Sequence, residues 1–312
     1  MVVSSPVVNL LRMFLLLLAC LLAAQGNPAF FIVAHQDDWQ LFMGQNAFVD
    51  IQSGEGAVLI YVTAGDAGAK DLATGAGTVP YFRARELAAN QSVILAAGAG
   101  NDVPPGSGEW SAVSINGRDI ARWTYGHTTS YYLRLPDGGG SGAGYQATGW
   151  QSLARFYRGE ISAYDAVDGS ASYSRWSDLA ETVAGIIQRH VGEPRDFWVN
   201  LHDPNRDLNV DDHSDHTHSG ILALEAAARA DAGHLALWLD YVIGDMDPNL
   251  LPEAVFQKAG LFGSLNATLT ALGYRTTWDR SHLRWLDKGV YRTVTRKTRD
   301  RQRRPRPPSL AR

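Results

Sequence analysis

The sequence predicts an α/β fold with helices on both faces of a mostly parallel sheet. Three observations predict it. Strand-length runs at residues 30–33, 57–63 and 197–202 are apolar almost throughout, as in strands buried on both faces. Helical patterns stand between them. The connections around the first two strands are short, in the strand, helix, strand order of right-handed parallel crossovers.

Residues 30–33 lead straight into His35, Gln36, Asp37 and Asp38. An imidazole and two carboxylates therefore sit at a strand's carboxyl end, where open α/β sheets bind ligands. Residues 39–52 carry helical spacing (Leu41, Phe42, Ala47, Phe48, Val49), and residues 57–63 form the second strand. Residues 80–97 read as a helix with Pro80 near its start. Residues 98–149 are rich in Gly, Ser and Trp; they read as loop around one strand at 131–135, with 138–144 a flexible turn or lid. An amphipathic helix follows at 177–190, then the strand at 197–202, a polar loop at 203–212, and His213-Ser214-Asp215-His216. Helices at 221–232 and 253–272 bracket a strand at 235–243.

The chain has 312 residues and is 45% hydrophobic, enough for one large core. Its net charge of -4 is unevenly spread. Ten Lys/Arg and one Asp fall between Lys288 and Arg312, so the body is acidic and the tail basic. Residues 296–312 read as a disordered arm, with contact to an anionic polymer or membrane surface as the alternative to simple solvation. No specific nucleic acid is expected. Residues 1–26 read as a secretory signal: Arg12 precedes an apolar stretch shorter than the roughly 20 residues of a membrane span. The expected location is secreted, periplasmic or cell envelope. Cys20, the single cysteine, lies within that segment, so a metal would be held by His and carboxylate.

Two side chains from the first cluster and one from the second would make a three-ligand metal site with a position left for water. A carboxylate and an imidazole remain for acid and base work. Ala34-His35-Gln36-Asp37-Asp38 resembles the Ala-His-Pro-Asp-Asp signature of the LmbE/PIG-L family of zinc-dependent N-acetylglucosamine deacetylases. His213-Ser214-Asp215-His216 resembles its His-Pro-Asp-His signature. Val62-Thr63-Ala64-Gly65, Arg83 with Glu86, and Leu135 to Gly138 extend the likeness, which covers residues 30–232.

The resemblance implies a Rossmann-like three-layer α/β/α domain at 27–295. It makes His35, Asp38 and His216 the Zn²⁺ ligands, although such a set also accepts Fe²⁺, Co²⁺ or Mn²⁺. Asp37 becomes the general base, and His213 the imidazolium that stabilises the intermediate or protonates the amine. Asp215 orients an imidazole, and Arg83 and Asp137 contact the sugar. Two departures stand out: Gln36 and Ser214 replace both prolines, and no Tyr occurs in residues 203–212, leaving Tyr145 as a substitute.

Plainer readings accompany these. Asp37 could cap a helix, Arg83 could simply pair with Glu86, and His218 could replace His216. Asp211 and Asp212 read as solvated or capping. His202 and Asp203 end a strand near the site. His127, His190, His234 and His282 read as ordinary histidines. Trp110, Trp123 and Trp150 could stack on sugar or pack in the core. The expected activity is deacetylation of a glucosamine-containing saccharide or glycoconjugate. An amidase acting on a non-sugar or non-acetyl amide, or a non-catalytic carbohydrate-binding relative, are the alternatives.

Overall fold

A computed structural model describes residues 26–69, 79–100, 106–193 and 195–295. The expected signal segment, apart from Gly26, and the basic arm lie outside the described residues. In chain order the elements are β1 (Ala29–Val33), α1 (Asp38–Phe42), α2 (Gly44–Gln52), β2 (Ala57–Thr63) and α3 (Tyr81–Ala99). Next come β3 (Glu109–Ile115), β4 (Arg118–Tyr125), β5 (Thr128–Leu135), α4 (Leu153–Tyr157), β6 (Tyr164–Asp165), β7 (Ser172–Tyr173) and α5 (Trp176–His190). The last are β8 (Trp198–His202), α6 (Ser214–Arg229), β9 (His234–Trp238), α7 (Pro252–Ala271), α8 (Arg280–Leu283) and β10 (Tyr291–Thr295).

Eight strands form the central sheet in the order β10-β9-β8-β1-β2-β5-β4-β3. The five from β9 to β5 are mutually parallel; at the edges β10 pairs antiparallel with β9, β4 with β5, and β3 with β4. Side chains alternate across β1. Phe30 and Ile32 pack with Val183 and Ile186 of α5 and Leu222 of α6. Phe31 and Val33 pack on the other face with Phe42, Val93, Leu261 and Phe262 from α1, α3 and α7. The result is the expected three-layer α/β/α fold with a mostly parallel sheet. From β1 the chain steps outward to β2 and β5, and later fills the other side with β8 and β9. Strand order therefore reverses between β1 and β8, a topological switch point whose crevice opens at the carboxyl ends of those strands.

The structure departs from expectation in four places. The helix expected over 39–52 breaks at Met43, and at Gly44 a Cβ would lie 2.9 Å from Lys258 Cγ. The region expected as loop around one strand is a β3-β4-β5 meander. Its first turn is Asn116-Gly117, both at positive φ (50° and 76°), the pair that tight hairpins favour. Helix α6 begins at Ser214, so the helix expected over 221–232 starts earlier, within the second signature. The strand expected over 235–243 ends at Trp238, and β10 was not anticipated.

Candidate active site

β1 ends at Val33 and the backbone turns at once. Asp38 Oδ2 accepts the His35 backbone N–H at 2.6 Å, which folds the carboxylate back beneath the imidazole. His35 Nδ1 then lies 3.4 Å from Asp38 Oδ1. Gln36 is tied down: its Nε2 donates to the Thr63 carbonyl at 2.9 Å and its Oε1 accepts from Arg85 Nε at 3.0 Å. Arg85 also donates through Nη2 to Asp37 Oδ1 at 2.5 Å.

Helix α6 brings the second cluster. His213 is its N-cap, and its Nδ1 accepts the Asp215 backbone N–H at 3.1 Å. That bond leaves Nε2 as the protonated nitrogen, so the ring is arranged as a neutral donor rather than the expected imidazolium. Burial, then the neighbouring His35, pushes it down to about 4. One turn inward, His216 Nε2 sits 3.1 Å from Asp38 Oδ1. His216 Nδ1 meets Asp212 Oδ1 at 2.8 Å between side chains only 1% and 2% exposed. Asp212, read from sequence as solvated or capping, therefore orients this imidazole. Asp215 accepts the Gly138 N–H at 2.8 Å and lies 3.5 Å from His35 Nε2.

Sequence reasoning underweighted His202 and missed Asp240. His202, fully buried at the end of β8, stacks on His216 with ring centres 4.4 Å apart. Its Nε2 is 3.2 Å from Asp38 Oδ2 and its Nδ1 2.9 Å from Asp240 Oδ1. Asn209 donates to the other Asp240 oxygen at 2.9 Å. Asp240 follows β9, so adjacent strand ends contribute to one cluster.

The cluster fits a divalent metal. His35, Asp38 and His216 offer ligand atoms all within 4.8 Å of one another. His35 Nε2 is buried without a hydrogen bond, an orphaned polar atom that a ligand-binding role explains. It faces Asp215 at 3.5 Å and Asp137 at 3.7 Å, and with His213 these form a second group whose ligand atoms lie within 4.8 Å of one another. The local field is strongly negative. Burial opposes charge on His35, but Asp38, and then Asp215, outweigh it and push the ring up to about 10. Burial likewise opposes charge on His216, yet Asp212 and Asp38 drive it well up. A cation would neutralise that field. The donors are nitrogen and carboxylate, suited to Zn²⁺ and to other transition metals.

The cleft over this cluster holds about 250 Å³. Phe42, Tyr81, Tyr241 and Trp285 form an aromatic wall, joined by Asp137, Arg85 and His282. Tyr241 stacks on Trp285 at 4.9 Å, with 9° between planes. A larger cavity of about 850 Å³ opens at the amino ends of the strands, beside Ala29, Val58 and Phe197, away from this chemistry.

Several expectations need correction. Arg83 faces away from the cleft, paired with Glu86 and lying 4.2 Å over the Trp110 ring; the arginine that lines the cleft is Arg85. The four-residue step from Tyr81 to Arg85 puts both on one face of α3, and Arg83 falls off that face. Trp110, Trp123 and Trp150 do not line the cleft; Trp123 is core. His282 is not an ordinary surface residue but part of the wall. Tyr145 packs against Gly68 and Gly139. Asp137 does line the cleft, 3.7 Å from His35 Nε2.

Groups of His and Asp that could hold a metal thus lie at the switch point of a three-layer α/β/α fold. No family model matches the chain, and no curated protein matches it. Solved structures resemble it distantly. The A40926 pseudoaglycone deacetylase Dbv21 is 14% identical, covering 86% of this chain and 95% of its own, with a TM-score of 0.44. N,N'-diacetylchitobiose deacetylase from Pyrococcus horikoshii is 16% identical over 78% of this chain and 69% of its own, at 0.41. A 4-carboxy-2-hydroxymuconate hydratase from Pseudomonas putida is 11% identical over 83% and 82%, at 0.42. Two of these are deacetylases and one a hydratase, so the likeness does not choose a reaction.

Proposed function

We propose that this chain is a metal-dependent amide hydrolase that removes the N-acetyl group from a glucosamine-containing saccharide or glycoconjugate. One observation carries the reading. His216 meets Asp38 across 178 residues of sequence, with His35, Asp37 and His213 in the same cleft. The residues that would hold the metal are His35, Asp38 and His216; when bound, it lowers the pKa of water and polarises a carbonyl.

The remaining steps belong to the chain. Asp37 takes the proton of the attacking water. His213, its Nδ1 already bonded, presents Nε2–H to the carbonyl oxygen as negative charge develops; one such donor is typically worth about 10²–10³ in rate. The proton held by Asp37 then passes to the departing amine. Asp215, anchored by the Gly138 N–H, keeps the His35 ring in place. Asp137 offers an acceptor to a sugar hydroxyl, and the Phe42, Tyr241 and Trp285 wall suits the apolar face of a pyranose. Residues 1–26 are read as the secretory signal that delivers this domain, and 296–312 as a solvated basic arm.

The test is acetate release from N-acetylglucosamine oligomers and conjugates, beside non-sugar N-acyl amines, with and without chelator. Chelator-sensitive acetate release from the sugars is expected. Release from the non-sugar amines alone, or from none, would refute the proposal.

A further inference from the structure

The chemistry above makes no use of Gln36 or Arg85, yet Arg85 closes on Asp37 and Gln36 on Arg85. Gln36 is 1% exposed and Arg85 7%. Burying a guanidinium and an amide this fully is costly unless each is satisfied. Here they satisfy one another in series: Thr63 carbonyl to Gln36 amide, Gln36 oxygen to Arg85 Nε, Arg85 Nη2 to Asp37 Oδ1. The series runs from the end of β2 to the side chain of the proposed base. Gly65 makes room for it. At φ +54°, a Cβ there would lie 2.4 Å from Gln36 Oε1 and 2.7 Å from Arg85 Nε.

We infer that Gln36 and Arg85 are positioning residues, a buried clamp that fixes Asp37 by its Oδ1 and leaves Oδ2 to meet the water. A guanidinium holds its donors in a rigid plane, so the bond from Nε to Gln36 fixes the direction from which Nη2 meets Asp37 Oδ1. Gln36 stands where the resembled signature has proline. Its bond to Thr63 restrains the loop by hydrogen bonding where proline would restrain it through φ. The inference rests on the proposed function for its kinetic consequence and on geometry alone for its structural one.

Two variants test the kinetics per folded, metal-loaded molecule. Arg85→Lys keeps the charge and loses the fork; Gln36→Leu keeps the volume and loses both bonds. Each should lower kcat roughly 10- to 100-fold, the scale of about 1 Å of misplacement, with KM and metal stoichiometry unchanged. Guanidinium ion should partly restore Arg85→Ala. Wild-type kcat in both variants, or a rise in KM alone, overturns the clamp. A thermal cycle needs no activity. Arg85→Met should lower the unfolding midpoint by stranding a buried carboxylate, and adding Asp37→Asn should recover part of the loss. Simple addition of the two losses overturns the clamp. If the wild type releases acetate from no substrate, the proposed function falls and the thermal cycle alone decides the clamp.

Discussion

Asp212 offers a measure of how far the proposed metal site depends on residues behind its ligands. Its Oδ1 is 2.8 Å from His216 Nδ1, and the two side chains are 2% and 1% exposed. Asp212→Ala removes the acceptor that fixes which His216 nitrogen carries the proton and where the ring points. A hydrogen bond to a charged group contributes about 1.5–3 kcal/mol, equivalent to roughly 10- to 150-fold in an equilibrium constant. Partners behind metal ligands typically contribute about 10- to 100-fold in metal affinity. The two scales agree, so Asp212→Ala should weaken Zn²⁺ binding by about 10- to 100-fold. Asp212→Asn keeps an acceptor oxygen and loses the charge, and should fall near the lower end. Asp211 is exposed at φ +53°, a conformation Asn tolerates, so Asp211→Asn removes a neighbouring charge without touching His216. Competition against a chromogenic chelator at neutral pH reads all three. Asp212→Ala within twofold of wild type, or Asp211→Asn weakened as much as Asp212→Asn, would refute the reasoning.

Further outcomes follow from the same geometry. Asp37→Asn should retain metal while losing about 10²–10⁴ in acetate release, the range for a positioned base; elemental analysis beside the assay separates the two effects. Gly138→Ala puts a Cβ 2.7 Å from Asp215 Oδ1 and 2.8 Å from Ser152 Cβ, and should lower both the unfolding midpoint and activity. Chelation should lower the unfolding midpoint, and Zn²⁺, Co²⁺ or Mn²⁺ should restore it, because ligand binding to the folded state stabilises it by mass action. Lys258 is fully buried in α7, donating to the Trp285 and Lys288 carbonyls, and burial pushes it down to about 7 from an ordinary 10.5. Between those values the unfolded chain binds more protons than the folded one, so this group makes stability rise with pH from about 7 to 10.5. Denaturant titrations should show that rise diminished in Lys258→Met; an unchanged slope would contradict the assignment.

The parallel core was legible because its strands are buried on both faces, and an uninterrupted apolar run needs no partner to be recognised. The meander was not, because β3 lies at an exposed edge and its residues are mostly polar or solvent-facing. One signal was available: Asn116-Gly117 marks a tight hairpin, and the surrounding glycines obscured it. Asn90-Gln91-Ser92 and Asn266-Ala267-Thr268 match the Asn-x-Ser/Thr acceptor pattern, yet both lie inside helices with their asparagines buried, which no local pattern announces. His35, Asp38 and His216 were legible as a set through two short signatures. Arg85, Tyr241 and Trp285 were not, since each reaches the cleft by tertiary packing from a separate element, nor was Asp240, which lies buried behind His202.

Gln36 shows what a motif conceals. Read along the chain, it is a lost proline and a loosened loop. In the folded molecule it is 1% exposed, with both ends of its amide bonded. The position requires a fixed loop after β1, and that requirement can be met by a ring that restricts φ or by an amide held between a strand-end carbonyl and a buried guanidinium. The second solution has conditions the first lacks. Arg85 must come from α3, and Gly65 must leave space for both side chains. Gln36→Pro would remove the backbone N–H and side-chain amide while leaving Arg85 beside Asp37 with its Nε donor unpaired. Such a substitution restores the signature but breaks the clamp, so it should lower kcat. A variant matching wild type in turnover and unfolding midpoint would show that loop stiffness alone is what the site needs.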